Sequence, residues 1–325
     1  MQRSINVAIV AGIAAIGCSL AFGAAAETAD EDCSGWFPDW KCEREARPPG
    51  STRPMSMPYL FEDPFITTEA QAVGIWHDTP NKSVFQGGEA GVIALQLRLA
   101  ITEDLAFIAT RDGLTFLRPD NAILPDDEDM MDVTVGFKYA LIRSGNWIVT
   151  PSLRYEIPLG AKRLFQGQGD GVLIPAASAA WSTGDFHVIG SLGAQVPFDG
   201  DQDSTSIFYN LHLDYALGEH FSPFIEVGGM HWTNAGNGSQ TVHSTVGRVP
   251  LSAAQALLGT GGFEGYDVAN LGSGGVEGND IVTMAWGARF PIDSKLSLGL
   301  AYERAISDRK DIFKQRVTAM VTKSF

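Results

Sequence analysis

Apolar and polar side chains alternate with a period of two over most of this chain. Ile207, Tyr209, Leu211, Leu213, Tyr215 and Leu217 fall on one side of an extended run, and Ser206, Asn210, His212 and Asp214 fall on the other. Successive side chains of a strand point to opposite faces, so this run predicts a strand with one oily and one wet face. The pattern recurs with Ile93, Leu95, Leu97, Leu99 and Ile101 against Gln96 and Arg98, and with Val133, Val135, Phe137, Tyr139 and Leu141 against Thr134, Gly136 and Lys138. It returns with Trp147, Val149, Leu153, Tyr155 and Ile157 against Thr150, Ser152, Arg154 and Glu156. In the last run Phe313, Val317, Ala319, Val321 and Phe325 face outward, with Lys314, Arg316, Thr318, Thr322 and Ser324 inward. About twelve strands are predicted, near 67–77, 89–101, 104–118, 130–142, 146–160, 171–182, 185–197, 205–217, 220–233, 279–292, 295–306 and 312–325.

The connections alternate in length. Thr102-Glu103-Asp104, Ser144-Gly145-Asn146, Thr183-Gly184-Asp185, Gly218-Glu219-His220 and Asp293-Ser294-Lys295 form very short polar turns, and longer glycine-rich or acidic stretches lie between them. Short turns at one end and long loops at the other, with an oily outer face and a polar inner one, are the layout of an all-β, transmembrane, antiparallel up-and-down β-barrel. Even strand parity brings both termini to the short-turn end. Aromatic residues beside the turns (Trp147, Phe186, Phe221) and at the C-terminus (Phe325) suit headgroup depth. The third strand changes phase near Asp112-Gly113, which predicts a bulge. The connection from 234 to 279 is the longest, and Pro250 to Leu258 within it reads as a short amphipathic helix.

The N-terminus follows other rules. Arg3, an apolar run from Ile5 to Phe22 and the small residues Ala24-Ala25-Ala26 predict a secretory signal over 1–26; Cys18 as a lipidated residue is the lesser alternative. Residues 27–64 are rich in proline and charge and predict a periplasmic extension that either covers or enters the inner mouth of the barrel, which occupies 65–325. Cys33 and Cys42 lie close together in what is then an oxidising compartment, and a local disulfide is expected ahead of zinc binding. Beyond residue 26 no stretch reaches the roughly 18 apolar residues of a spanning helix.

Charge narrows the partners. With 23 basic and 38 acidic residues the net charge is −15, which argues against nucleic acid, whose phosphates require Lys and Arg. Acidic outer loops suit divalent cations bridging to lipopolysaccharide. No cofactor motif, P-loop, zinc motif or catalytic carboxylate pair is found. Asp199-Gly-Asp201-Gln-Asp203 opens like a calcium loop but lacks its glycine and closing glutamate, and reads as a solvated turn.

The candidate functional residues are the inward charges Arg98, Lys138, Arg154, Glu156, Asp214, Glu226, Arg289, Glu303, Lys314 and Arg316. Buried charges must pair or remain hydrated, so these predict either lumen salt bridges that hold the strands in register or a constriction that sorts solutes by charge. His231 and Thr233 share an outward face, a placement that resembles outer-membrane phospholipase A, in which a histidine activates a serine. Threonine replaces that serine here, no matching asparagine is evident, and a non-enzymatic reading is preferred.

The signal, the alternating strands and terminal Phe325 after Val317, Ala319 and Val321 resemble a Gram-negative outer-membrane barrel and its C-terminal assembly signal, although Lys323 stands where an apolar residue is usual. From about 59 to 325, and in Pro58-Tyr59-Leu60-Phe61-Glu62-Asp63-Pro64, the chain is similar to a transporter group associated with meta-pathway phenol degradation. The leading expectation is a monomer in the outer membrane, inserted by the barrel-assembly machinery through its last strand, in contact with lipid and lipopolysaccharide, that passes small and partly hydrophobic solutes either passively or through a gate. A closed structural or surface-binding barrel is the competing expectation, and a lipid hydrolase a lesser one.

Overall fold

The computed structural model describes residues 47–325, apart from 49, 246 and 261. The signal region and the Cys33–Cys42 pair lie outside the described residues. The strands run Glu69–Asp78, Gly88–Ala100, Leu105–Arg111 continuing as Leu114–Pro119, then Asp127–Met130 continuing as Val133–Tyr139 and Ile142–Ser144. They continue as Trp147–Ile157, Val172–Thr183, Phe186–Pro197, Thr205–Tyr215, Ser222–Asn234, Asp280–Pro291, Leu296–Ala305 and Gln315–Ser324. Every pairing is antiparallel between sequence neighbours, and the first strand also pairs with the last from Glu69↔Ser324 to Asp78↔Gln315, so the sheet closes into a twelve-stranded barrel. Closure leaves no free sheet edge, which hydrocarbon does not tolerate.

Alternation sorts the two faces as the sequence implies. In Thr205–Tyr215, Ile207 and Leu211 are 40 % and 43 % exposed on the outside, whereas Phe208 and His212 are 0 % exposed inside. Trp147, Phe221 and Phe325 are exposed at the short-turn end, where Trp147 and Trp181 approach at 6.4 Å. Gly145 and Gly184 supply positive φ angles of 57° and 56° in two of the tight turns, a conformation that costs glycine little. The predicted bulge lies between Arg111 and Leu114, where the second strand pairs first with one half of the third and then with the other. Asp112 Oδ1 accepts the Leu95 N–H there at 2.9 Å.

Two predictions of side-chain direction fail in the last strand. Lys314 is half exposed at the long-loop end, where it pairs with Asp78 at 2.7 Å, and does not enter the lumen. Phe313, assigned to the outer face, is fully buried. Regular pairing begins only at Gln315, so both residues belong to a connection that bends over the barrel mouth, and parity does not extend into it. The long connection forms a hairpin, Thr241–Ser244 with Gly247–Pro250, followed by the helix Leu251–Leu258, which ends at Gly259 with φ 66°. No described helix is long and apolar enough to cross a membrane.

Residues 47–66 occupy the barrel interior. The segment enters at the short-turn end, rises to a turn at Met57, where the Leu60 and Phe61 N–H groups bond the Met57 carbonyl at 2.9 Å, and descends to the first strand. Met55, Met57, Tyr59, Leu60, Phe61 and Phe65 are all buried, packed on inward residues such as Phe208, Met230 and Phe224.

Candidate functional site

The inward charges converge on this internal segment. Glu62 accepts Arg98 Nη2 at 2.8 Å and Lys138 Nζ at 2.7 Å, and Asp63 accepts Lys138 at 3.3 Å and forms an ion pair with Arg53 at 3.1 Å. Glu69, at the start of the first strand, takes Arg53 Nη2 at 2.7 Å and Arg47 Nε at 3.3 Å; Arg47 also pairs with Asp63. Five cations and carboxylates from one proline-rich stretch and its continuation thus neutralise the wall at the short-turn half, as burial of charge demands.

A second cluster alternates acids and imidazoles. His187 Nδ1 meets Asp214 Oδ1, Asp214 Oδ2 meets His212 Nε2 at 2.8 Å, and His212 Nδ1 meets Glu226 Oε1 at 2.7 Å. The internal segment docks on these acids: the Thr52 N–H and hydroxyl both donate to Asp214 Oδ2 at 2.8 Å, and the Met55 N–H donates to Glu226 at 2.9 Å, beside the Ser56 N–H at 2.5 Å. Arg154 donates to the Tyr59 and Leu60 carbonyls at 2.7 and 3.1 Å, Gln96 to that of Pro58 at 2.9 Å, and Thr150 to that of Pro64 at 2.7 Å. Gly136 faces Arg154 across the ladder, and a Cβ there would meet the Leu153 carbonyl oxygen at 2.1 Å and Arg154 Cγ at 2.9 Å, so glycine clears the path of the arginine stem.

From the opposite end a piece of the long connection reaches in. Asp267 receives Arg316 Nη1 on both oxygens at 2.8 and 2.9 Å, and Glu303 receives Arg316 Nη2 at 2.6 Å. Arg111 pairs with Glu156 and donates Nη2 to the Val268 carbonyl at 2.7 Å. Above this, Glu264 is buried and accepts the Ser204 hydroxyl at 2.7 Å and the Leu271 and Ser273 N–H groups at 2.8 and 2.9 Å. Burial nevertheless raises its carboxyl to about 7, the hydrogen bonds opposing and the Asp311 carboxylate adding to the rise. Asp203, whose Oδ2 lacks a partner, is raised to about 8 by burial and by the neighbouring carboxylates Glu156 and Glu264.

The structure therefore brings Arg98, Lys138, Arg154, Glu156, Asp214, Glu226, Glu303, Arg316 and Arg289 into the interior and leaves Lys314 outside. Their partners Arg53, Glu62, Asp63 and Asp267 escape sequence reading because they lie in stretches without alternation. Glu69, Arg111 and His187 carried a usable signal, the parity of their own strands. On the outer face, His231 Nδ1 contacts Asp280 Oδ1 at 2.8 Å across the ladder, an orienting acid that the sequence did not disclose. The Thr233 hydroxyl donates to the Thr205 carbonyl at 3.4 Å. Asp199 accepts the Asp201 N–H at 3.0 Å and so closes its own turn.

The sequence profile of the family described as "Putative MetA-pathway of phenol degradation" matches residues 58–259. Comparison with curated protein sequences gives no match. Among solved structures, an outer-membrane channel from Pseudomonas putida F1 superposes with a TM-score of 0.51 at 14 % identity, over 82 % of this chain and 98 % of that one. The NanC porin gives 0.46 at 9 % identity over 79 % and 99 %, and outer membrane phospholipase A from Escherichia coli 0.37 at 10 % identity over 81 % and 98 %.

Proposed function

The chain belongs to the MetA-pathway of phenol degradation family, and from that premise we propose that it is a gated outer-membrane channel for small, partly hydrophobic solutes. Its short turns then face the periplasm and its long loops the exterior. Residues 47–66 are the gate. The observation that carries this reading is the way the segment is held: among the described residues, 47–66 make no backbone-to-backbone hydrogen bond to the wall, and every polar attachment runs through a side chain. Such a plug leaves without unpairing a strand. Its departure uncovers a lumen of mixed charge with apolar patches at Phe208, Met230 and Phe224, which suits solutes that are partly hydrophobic. The barrel works as a monomer in lipid and lipopolysaccharide, placed there by the assembly machinery acting on its last strand.

A second reading is favoured by the other end. The Asp267–Arg316 and Val268–Arg111 contacts hold part of the long connection inside the long-loop half, where the Arg111 guanidinium lies 5.6 Å from the ring of the plug residue Tyr59, as expected of a structural or surface-binding barrel. Planar-bilayer conductance and liposome uptake of phenol decide between them. The channel reading expects deletion of residues 27–66 to raise both above the intact protein. A deletion variant that folds yet neither conducts nor admits phenol supports the closed barrel.

A further inference from the structure

A vestibule of about 860 Å³ opens at the periplasmic mouth, and Arg289 and Thr322 form part of its floor with Arg53, Ser297 and Glu69 around them. Arg289 is 2 % exposed and forms no ion pair with a described carboxylate. Its Nη2 donates to the Arg53 carbonyl at 3.1 Å and touches Met320 Sδ at 3.3 Å, its Nη1 reaches the Thr322 hydroxyl only at 3.4 Å, and its Nε has no acceptor. Glu69 is already taken by Arg47 and Arg53, and the vestibule's other carboxylates, Asp185, Glu219 and Asp293 in the short turns, form no ion pair with Arg289. Arg154, the other lumen arginine without a carboxylate, directs both terminal nitrogens to plug carbonyls; Arg289 does so with one. A buried guanidinium with unused donors and cationic neighbours is costly unless an anion meets it, and its planar fork matches a carboxylate.

We propose that this vestibule binds small organic carboxylates, gripped by Arg289 with the Thr322 hydroxyl beside it. The site opens to the periplasm while the plug is in place, so binding is measurable in a barrel that does not conduct, and its failure leaves the channel reading intact.

The probe is benzoate, titrated calorimetrically into the folded full chain in a nonionic detergent at low salt, with benzyl alcohol as the uncharged counterpart. Saturable benzoate binding is expected, weakened about tenfold or more in Arg289→Gln, by less in Arg289→Lys, and weakened by added chloride. Benzyl alcohol should not distinguish the wild type from Arg289→Gln. Heat-modifiable electrophoretic mobility establishes that each variant is folded, and Arg289→Lys keeps the test open if the glutamine variant is not. Absence of saturable benzoate binding to the wild type, or equal affinity in the wild type and a folded Arg289 variant, overturns the proposal.

Discussion

Replacing Glu62 with glutamine removes one negative charge from a point where Arg98, Lys138 and Arg53 meet. Lys138 keeps Asp63 at 3.3 Å, and Arg53 keeps Asp63 and Glu69. Arg98 loses its carboxylate and retains the amide oxygens of Gln71 and Gln96 at 3.1 and 3.0 Å. Removing one partner of a buried ion pair typically costs about 3–5 kcal/mol, and the surviving acceptors put this change near the lower bound. Arg98 and Lys138 belong to the wall and regain water when the plug departs, so the cost falls on the docked state. About 3 kcal/mol shifts the docking equilibrium roughly 100-fold. Hydrogen exchange of peptides spanning 50–66 should lose protection by that order in Glu62→Gln, while strand amides stay protected, and conductance should rise with it. Unchanged protection of 50–66 in a folded Glu62→Gln barrel would refute the view that these charges hold the plug.

Three further outcomes are expected. Because the folded-state carboxyls of Glu264 and Asp203 titrate above their ordinary values, docking of the 235–279 connection is strongest below about pH 4.5 and weakens as pH rises through about 7 and then about 8; exchange of its amides should accelerate over that window, and Glu264→Gln should flatten the first part of the rise. Leu211→Arg puts a charge against lipid and should destabilise the barrel by about 2–4 kcal/mol in a lipid-vesicle unfolding assay, with a far smaller effect from the inward Asn210→Ser. Gly136→Val should cost about 1–3 kcal/mol or more in the same assay, since its first carbon collides with the backbone of Leu153, and should release the Arg154 hold on the plug.

The fold was largely legible because lipid imposes a strict rule. A strand with oil on one side and polar side chains on the other must alternate, and the run from Ile207 to Leu217 announces both its structure and its orientation. Parity likewise located Arg98, Arg154, Asp214 and Arg289 inside. It broke at Lys314 and Phe313, where the chain is not yet a strand. What period-two reasoning does not supply is who meets these charges. Arg53, Glu62 and Asp63 lie among prolines, and nothing local distinguishes a plug folded back inside the lumen from an extension resting at its mouth. Asp280 is placed beside His231 by cross-strand register, a long-range relation that a single sequence does not print.

The internal segment continues without a break into Glu69, where the first strand zips to the last. One end of the stopper is thus stitched into the seam of the cylinder. Twenty residues paid out at roughly 3.3 Å each reach about 65 Å, far enough to hang clear of the opening without being lost. Return is then a unimolecular event at an effective concentration near millimolar. Resealing would therefore be fast, and independent of how many copies the cell makes.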